Sequence, residues 1–316
     1  MPTLLMLFQL KPDQLEQVRR RIPEWTIVSA RDSEITEEQY RDAEIVLGWD
    51  SAMTTSFDSA VNLKWVQTTS AGVDKLPLDR LRESGAALTS ASGIHPISMT
   101  ETLFAMLLAF SRNLHHAIRR QSDSEWRASE RYSQLAGKTI GIVGVGAIGT
   151  EMARLAKAFG MTTLGVRKSA RPVDVVDEMY GMDQLGDVLS RSDMVVNVLP
   201  YTEETHHIFN AEKFAAMKTD ALFFNFGRGA SVDTAALVAA LEQGEIGGAG
   251  LDVFEEEPLP ADHPLWPMDN VIITPHIGGW TDNYKALVTD IFLENLDAYL
   301  STGQPTRNVV DLDRNY

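Results

Sequence analysis

An apolar run at 139–143 leads into Gly144-Val145-Gly146-Ala147-Ile148-Gly149, and an amphipathic stretch at 148–159 follows. Glycine is common in turns, so G-x-G-x-x-G alone says little; a strand before it and a helix behind it give it meaning. The first glycine permits a tight turn, the second lets backbone approach a pyrophosphate, and the third lets the helix pack closely on the strand. The start of that helix then offers unpaired N–H groups to an anion. This segment is expected to be the first strand–helix turn of a dinucleotide-binding sheet.

The same rhythm extends to both sides. Ahead of the glycines, short apolar runs at 3–7, 26–28, 45–47, 65–68 and 86–88 alternate with amphipathic stretches at 13–21, 36–40, 55–60 and 78–84. Behind 139–143, strands are expected at 162–166, 194–198, 222–225, 248–251 and 271–274, with helices at 148–159, 211–217 and 234–242. Short buried strands alternating with helices point to parallel sheets covered on both faces. The second set has the rhythm of a six-stranded doubly wound sheet. A long helix over 97–120 and a polar stretch over 121–134 separate the two sets, and an amphipathic helix over 284–300 follows the second. With 316 residues the chain accommodates two domains. The expected class is α/β, with two doubly wound parallel sheets.

Charge narrows the partners. There are 28 Lys and Arg against 44 Asp and Glu, a formal charge of −16. Such a field repels phosphate backbones and anionic lipid, so neither nucleic acid nor a membrane surface is expected. An anionic ligand must be held by local positive groups. The chain has no cysteine, which excludes disulfides, thiolate zinc sites and thiol nucleophiles. No metal site is expected. Adjacent histidines His115-His116 and His206-His207 are expected to point apart rather than chelate one ion. His95, beside Pro96, either packs in a loop or approaches a substrate. No segment has the roughly 18 to 20 apolar residues that span a bilayer. The apolar start at 1–10 lacks a basic region and ends at Lys11-Pro12, so it reads as a buried strand in a cytoplasmic protein.

Cofactor choice is usually written at the end of the second strand. An acidic residue there accepts from the ribose hydroxyls of NAD, whereas this chain has Arg167-Lys168-Ser169, with Arg171 close behind. Two cations and a hydroxyl suit the 2′-phosphate of NADP and leave no acceptor for a free hydroxyl. The expectation is NADP, with NAD as the weaker alternative; a solvated turn with chance basic residues is the plainer reading.

From here the chain resembles the D-isomer-specific 2-hydroxyacid dehydrogenase family. The resemblance rests on the 144–149 glycines, then Leu199-Pro200-Tyr201-Thr202-Glu203-Glu204-Thr205, then Asn225-Phe226-Gly227-Arg228-Gly229. It continues through Leu251-Asp252-Val253-Phe254-Glu255-Glu256-Glu257-Pro258 and ends at Thr274-Pro275-His276-Ile277-Gly278-Gly279. The N-terminal half agrees more loosely, through Ser70-Ala71-Gly72-Val73-Asp74 and the helix carrying Thr100-Glu101. The family's catalytic trio falls on Arg228, Glu257 and His276. Interconverting a 2-hydroxy acid and a 2-keto acid needs these types. A histidine can exchange the hydroxyl proton in both directions. A carboxylate beside it fixes its tautomer, and an arginine fork can hold the carboxylate and polarise the ketone oxygen. The resemblance prefers Glu257 to Glu255 or Glu256, because it directly precedes Pro258 as the family pattern requires. A solvated acidic loop and a strand-end cap are the plain alternatives for Glu257 and Arg228.

The resemblance implies further roles. Gly144, Gly146, Ala147, Ile148, Gly149, Leu199, Pro200 and Thr205 would bound the cofactor together with the 167–169 turn. Asp252 and the carbonyl of Phe226 would hold the nicotinamide carboxamide, and Thr100 would line its ring. The backbone of Ala71 and Gly72 would receive the substrate carboxylate, although Gly72 also fits a plain turn. The implied organisation is a Rossmann cofactor domain over 97–283 inserted into a flavodoxin-like substrate domain made of 1–96 and 284–316. Family members are usually homodimers, embracing through a helix and arm that here cover 97–135. The expected activity is NADP(H)-dependent interconversion of small 2-keto and D-2-hydroxy acids, glyoxylate and hydroxypyruvate among them. A phosphoglycerate-type dehydrogenase is the same-fold alternative, and a non-catalytic NAD(P)-binding sensor or corepressor the alternative from another class. Trp280 after Gly279, and Phe226-Gly227 before Arg228, depart from the common pattern.

Overall fold

The computed structural model describes residues 1–29, 35–128 and 132–313. The chain divides into two compact units, one formed by Met1–Ile94 with Thr281–Tyr316 and the other by His95–Trp280.

The first unit is built on a parallel sheet of β1 (Thr3–Met6), β2 (Thr26–Ser29), β3 (Ala43–Leu47), β4 (Trp65–Gln67) and β5 (Ala87–Thr89) in the order β2-β1-β3-β4-β5. That order is the flavodoxin-like one. Side chains alternate along each strand, so the sheet buries two cores. Leu4, Met6, Ile45 and Leu47 face one, while Leu5 and Val46 face the other. The first of these cores explains why the end of the chain returns here. The helix Tyr284–Thr302 contributes Val288, Ile291, Phe292, Leu296 and Tyr299 to it. Its Phe292 and Tyr299 rings stack on Trp65 at centroid separations of 5.3 and 5.6 Å. Full burial of each such side chain stabilises the fold by roughly 1.5–3 kcal/mol.

The second unit carries β6 (Thr139–Val143), β7 (Thr162–Val166), β8 (Glu178–Tyr180), β9 (Met194–Asn197), β10 (Leu222–Asn225), β11 (Gly248–Leu251) and β12 (Val271–Ile273). All pair in parallel, in the order β12-β11-β10-β9-β6-β7-β8. The order reverses between β6 and β9, which makes the glycine-rich turn after β6 the switch point where such sheets bind ligands. Here too the strands alternate between cores: Val143 and Val195 face one, Ile140, Ile142, Met194 and Val196 the other.

Two expectations about the second unit need correction. Among the described residues its sheet has seven strands rather than six, because Glu178–Tyr180 pairs with β7 as a three-residue edge. The helix expected over 97–120 is two helices, Pro96–Ser111 and Leu114–Ser122. Asn113 breaks it with φ of 51°, a left-handed conformation that asparagine tolerates better than most residues. Of the expected arm over 97–135, residues 129–131 lie outside the described residues. Among the described residues, no helix is long and apolar enough to cross a membrane.

Candidate active site

The turn after β6 is as tight and as closely packed as its first and third glycines lead one to expect. Gly144 sits at φ +108°, and a Cβ there would lie 2.8 Å from the backbone of Val198. At Gly149 a Cβ would come within 2.7 Å of the Gly144 carbonyl oxygen, so the helix Ala147–Ala158 packs tightly on the strand. Gly146 differs: a Cβ on it would meet nothing within 4 Å. No side chain caps the helix that begins at Ala147. Gly146 and Ala147 are exposed, Ile148 half-buried and Gly149 buried. The turn therefore presents an open, bare backbone edge to an anion.

At the end of β7 the Arg167 backbone N–H donates to the Tyr180 carbonyl oxygen at 3.1 Å, so the edge strand β8 fixes the start of the turn. The Arg167 Nε is buried and, among the described residues, has no hydrogen-bond partner. Lys168 is exposed and pairs with Glu204 Oε2 at 3.1 Å, and Ser169 is exposed. Deep in the unit, Thr100 is 1% exposed and its hydroxyl also lacks a partner among the described residues. Buried polar atoms are seldom left unpaired. An open glycine cradle, an unpartnered guanidinium nitrogen and an unpartnered hydroxyl fit a phosphorylated dinucleotide.

Arg228 is held from behind by a buried polar network that the sequence did not disclose. Asn197 donates through Nδ2 to Asn225 Oδ1 at 2.9 Å and to Ser231 Oγ at 2.6 Å. Ser231 Oγ and Asn225 Nδ2 in turn donate to the Arg228 carbonyl oxygen at 2.5 and 3.2 Å. Asn197 Oδ1 also accepts from the Leu199 N–H at 3.1 Å, and Asn225 Oδ1 from the Gly227 N–H at 3.2 Å. The ends of β9 and β10 are thus locked together, and the Arg228 backbone is fixed while its half-buried side chain donates through Nη1 to the Gly227 carbonyl oxygen at 3.0 Å. A fully satisfied buried network specifies one geometry.

His276 and Glu257 meet directly. His276 Nδ1 lies 3.0 and 3.1 Å from the two Glu257 carboxylate oxygens. The imidazole sits on a residue with φ of 55°, whose N–H donates to the carbonyl oxygens of Asp252 and Thr274. Asp252, 2% exposed, organises this turn: its carboxylate accepts from Thr274 Oγ1 at 2.6 Å and from the Ile277 and Gly278 N–H groups at 3.0–3.1 Å. Glu257 also accepts from the Phe254 N–H at 3.1 Å. Glu255 faces elsewhere, pairing with His207 Nε2 at 2.6 Å and accepting from the Thr234 N–H at 2.8 Å. Burial pushes the Glu255 carboxyl up, but Thr234 and His207 outweigh it and hold it below the usual range.

The remaining candidates are each held within their own unit. Phe226 is 2% exposed, with its N–H on the Asn197 carbonyl oxygen at 2.9 Å. Leu199 is buried and Pro200 exposed. Thr205 uses its hydroxyl within its own loop, reaching Pro200 O at 2.9 Å and accepting from the Thr202 N–H at 2.8 Å. It shapes that loop. In the first unit, Ala71 and Gly72 are half-buried in a turn where Ser70 Oγ donates to Gly72 O at 2.8 Å. His95 packs against Gly279, where a Cβ would lie 2.6 Å from its ring. Burial and then the nearby Arg228 charge lower its pKa, so it favours the neutral form. Trp280 is exposed.

The histidine pairs do not diverge as expected. Rings of His115 and His116 lie 4.1 Å apart, and those of His206 and His207 stack at 4.0 Å. His207 has φ of 47°, which turns its side chain back on its neighbour, and His115 is drawn to the Ala109 carbonyl oxygen at 3.0 Å. Among the described residues, no group of three His, Asp or Glu could hold a metal ion.

The switch-point glycines and the two parallel sheets define a dinucleotide-binding α/β protein, which also carries a hydrogen-bonded His276–Glu257 pair. Residues 104–278 match the family model described as D-isomer specific 2-hydroxyacid dehydrogenase, NAD binding domain. Glyoxylate/hydroxypyruvate reductase B of Escherichia fergusonii is 36% identical over 317 residues, covering 97% of each protein. A D-isomer specific 2-hydroxyacid dehydrogenase family protein from Aeromonas salmonicida superposes with a TM-score of 0.87 at 37% identity, covering 99% of both chains. The NADPH-dependent glyoxylate/hydroxypyruvate reductase of Sinorhizobium meliloti, solved with NADP and sulfate, gives 0.82 at 29% identity over 100% of this chain and 99% of that one. The chain belongs to the D-isomer specific 2-hydroxyacid dehydrogenase family.

Proposed function

We propose that this protein is an NADP(H)-dependent reductase that converts small 2-keto acids to D-2-hydroxy acids and back, with glyoxylate and hydroxypyruvate as leading substrates. The observation that carries the reading is the His276 Nδ1–Glu257 pair, which commits one imidazole nitrogen to a carboxylate and leaves Nε2 to serve a substrate oxygen. NADPH, when bound, would supply the hydride to the keto carbon. His276 gives the Nε2 proton to the ketone oxygen during reduction and takes it back during oxidation. Glu257 holds the ring orientation and stabilises the imidazolium. Arg228 holds the substrate carboxylate and polarises the carbonyl, fixed for that task by Asn225 and Ser231. Ala71 and Gly72 offer backbone N–H groups to a carboxylate. On this reading 97–283 is the cofactor domain, and 1–96 with 284–316 the substrate domain.

The 2′-phosphate belongs to the 167–169 turn, where the buried Arg167 Nε awaits an acceptor. One charge-assisted hydrogen bond of roughly 1.5–3 kcal/mol gives about a 10- to 150-fold preference for NADPH over NADH. Relatives solved with NADPH or NADP support this choice. A homodimer is part of the proposal, since Leu114, Ile118, Trp126 and Tyr132 are large apolar side chains left exposed along 114–132. The test is a panel of glyoxylate, hydroxypyruvate, pyruvate and branched keto acids with NADPH and NADH in parallel, repeated with Arg167→Asp. The parent should prefer NADPH and the variant NADH. Equal efficiency with both cofactors in the parent would refute the assignment of the turn.

A further inference from the structure

The strand order β9-β6-β7 places the glycine turn between the ends of β7 and β9. Lys168, just beyond β7, and Glu204, in the short 3-10 turn Glu203–Thr205 beyond β9, meet across that gap with Nζ and Oε2 at 3.1 Å. Their supports differ. The Glu204 loop is pinned by the Thr205 hydroxyl to Pro200 O and by the Leu199 N–H to Asn197 Oδ1. Both side chains are exposed, Lys168 at 81% and Glu204 at 75%, so the difference lies in the backbone that carries Glu204. A phosphate arriving at the 167–169 turn therefore finds one of its two cations already paired with a carboxylate on a loop whose backbone is held in place.

We propose that Glu204 is a specificity-determining residue that competes with the 2′-phosphate for Lys168 and so restrains the preference for NADPH; this rests on the 2′-phosphate reading of the turn. NADH makes no demand on Lys168, leaves the ion pair intact and is insensitive to Glu204. An exposed pair contributes about 0.2–1 kcal/mol, equivalent to about a 1.5- to 5-fold change in affinity, and salt screens it.

The test is a fluorescence titration of the full-length parent, Glu204→Gln and Lys168→Gln with NADPH and with NADH, at low and high ionic strength. Glu204→Gln should bind NADPH about 2- to 5-fold more tightly at low salt, with NADH unchanged and the gain fading as salt rises. Lys168→Gln should weaken NADPH alone. Unchanged or weaker NADPH binding in Glu204→Gln, or equal shifts for both cofactors, would overturn the role of Glu204. If Lys168→Gln left NADPH binding untouched, the placement of the phosphate on this turn would itself fail.

Discussion

Gly146→Ala separates folding from cofactor binding within a single turn. Its backbone is extended, with φ of −105° and ψ of −152°, and a Cβ there meets nothing within 4 Å. Alanine at a compatible site restricts the unfolded chain and stabilises by about 0.4–1 kcal/mol, so the melting temperature should hold or rise slightly. The methyl group would instead occupy the open edge where a pyrophosphate must approach the backbone. Losing one hydrogen bond to a charged oxygen, roughly 1.5–3 kcal/mol, raises the NADPH Kd about 10- to 150-fold. Gly149→Ala makes the contrast, because its Cβ would sit 2.7 Å from the Gly144 carbonyl oxygen and 3.1 Å from Ile142 Cγ2. Overpacking of that kind costs about 1–3 kcal/mol and should lower the melting temperature. Thermal unfolding without ligand and NADPH titration by fluorescence read the two quantities separately. Unaltered NADPH affinity in Gly146→Ala, or a loss of stability matching that of Gly149→Ala, would refute the reasoning.

Arg228→Lys keeps the charge but loses the fork, and kcat/KM for the keto acid should fall about 10- to 150-fold, the worth of one charge-assisted bond, while NADPH Kd is unmoved. Ser231→Ala removes one of the two side-chain donors to the Arg228 carbonyl oxygen, leaving Asn225 Nδ2 and the Ser231 N–H, and should lower stability by about 1 kcal/mol and kcat/KM several-fold. Combined with Arg228→Lys, its kinetic effect should be less than additive, as a double-mutant cycle will show. Asp193 accepts from the Thr139 N–H at 2.8 Å and from Lys218 at 3.0 Å, and these, with Lys138, outweigh burial and hold its carboxyl below the usual range. A depressed carboxyl stabilises the folded state above the unfolded value, near pH ~4, and the gain is lost as pH falls through the folded value. Asp193→Asn should therefore cost about 1–2 kcal/mol at neutral pH in denaturant titrations, with the gap to the parent closing in acid.

The turn after β6 was legible in the sequence because its requirements are local: three glycines, an apolar run and a helix start. The sheet edge was not. Glu178–Tyr180 has three residues and a partly polar pattern, and its place depends on β7 and on Arg191, which binds Glu178 at 2.7 Å from 13 residues away. The break at Asn113 was hidden for a related reason, since apolar spacing continues across it and only the left-handed asparagine marks it. The 274–279 block carried His276, and the position before Pro258 separated Glu257 from Glu255, whose partners are His207 and Thr234. Asn197 and Ser231 left no such trace. Their partners come from 28 and 34 residues away, and a buried amide or hydroxyl has no periodicity by which to be found.

The central claim is that His276 moves the proton in NADPH-dependent reduction of a 2-keto acid. Initial rates of NADPH oxidation with hydroxypyruvate and glyoxylate, measured for the parent and for His276→Ala, test it most directly. The parent should oxidise NADPH in step with formation of the D-2-hydroxy acid. The variant should lose about 100- to 10,000-fold in turnover while binding NADPH as the parent does. A His276→Ala enzyme with near-parental turnover, or a parent that oxidises NADPH with none of the keto acids in the panel, would contradict the account.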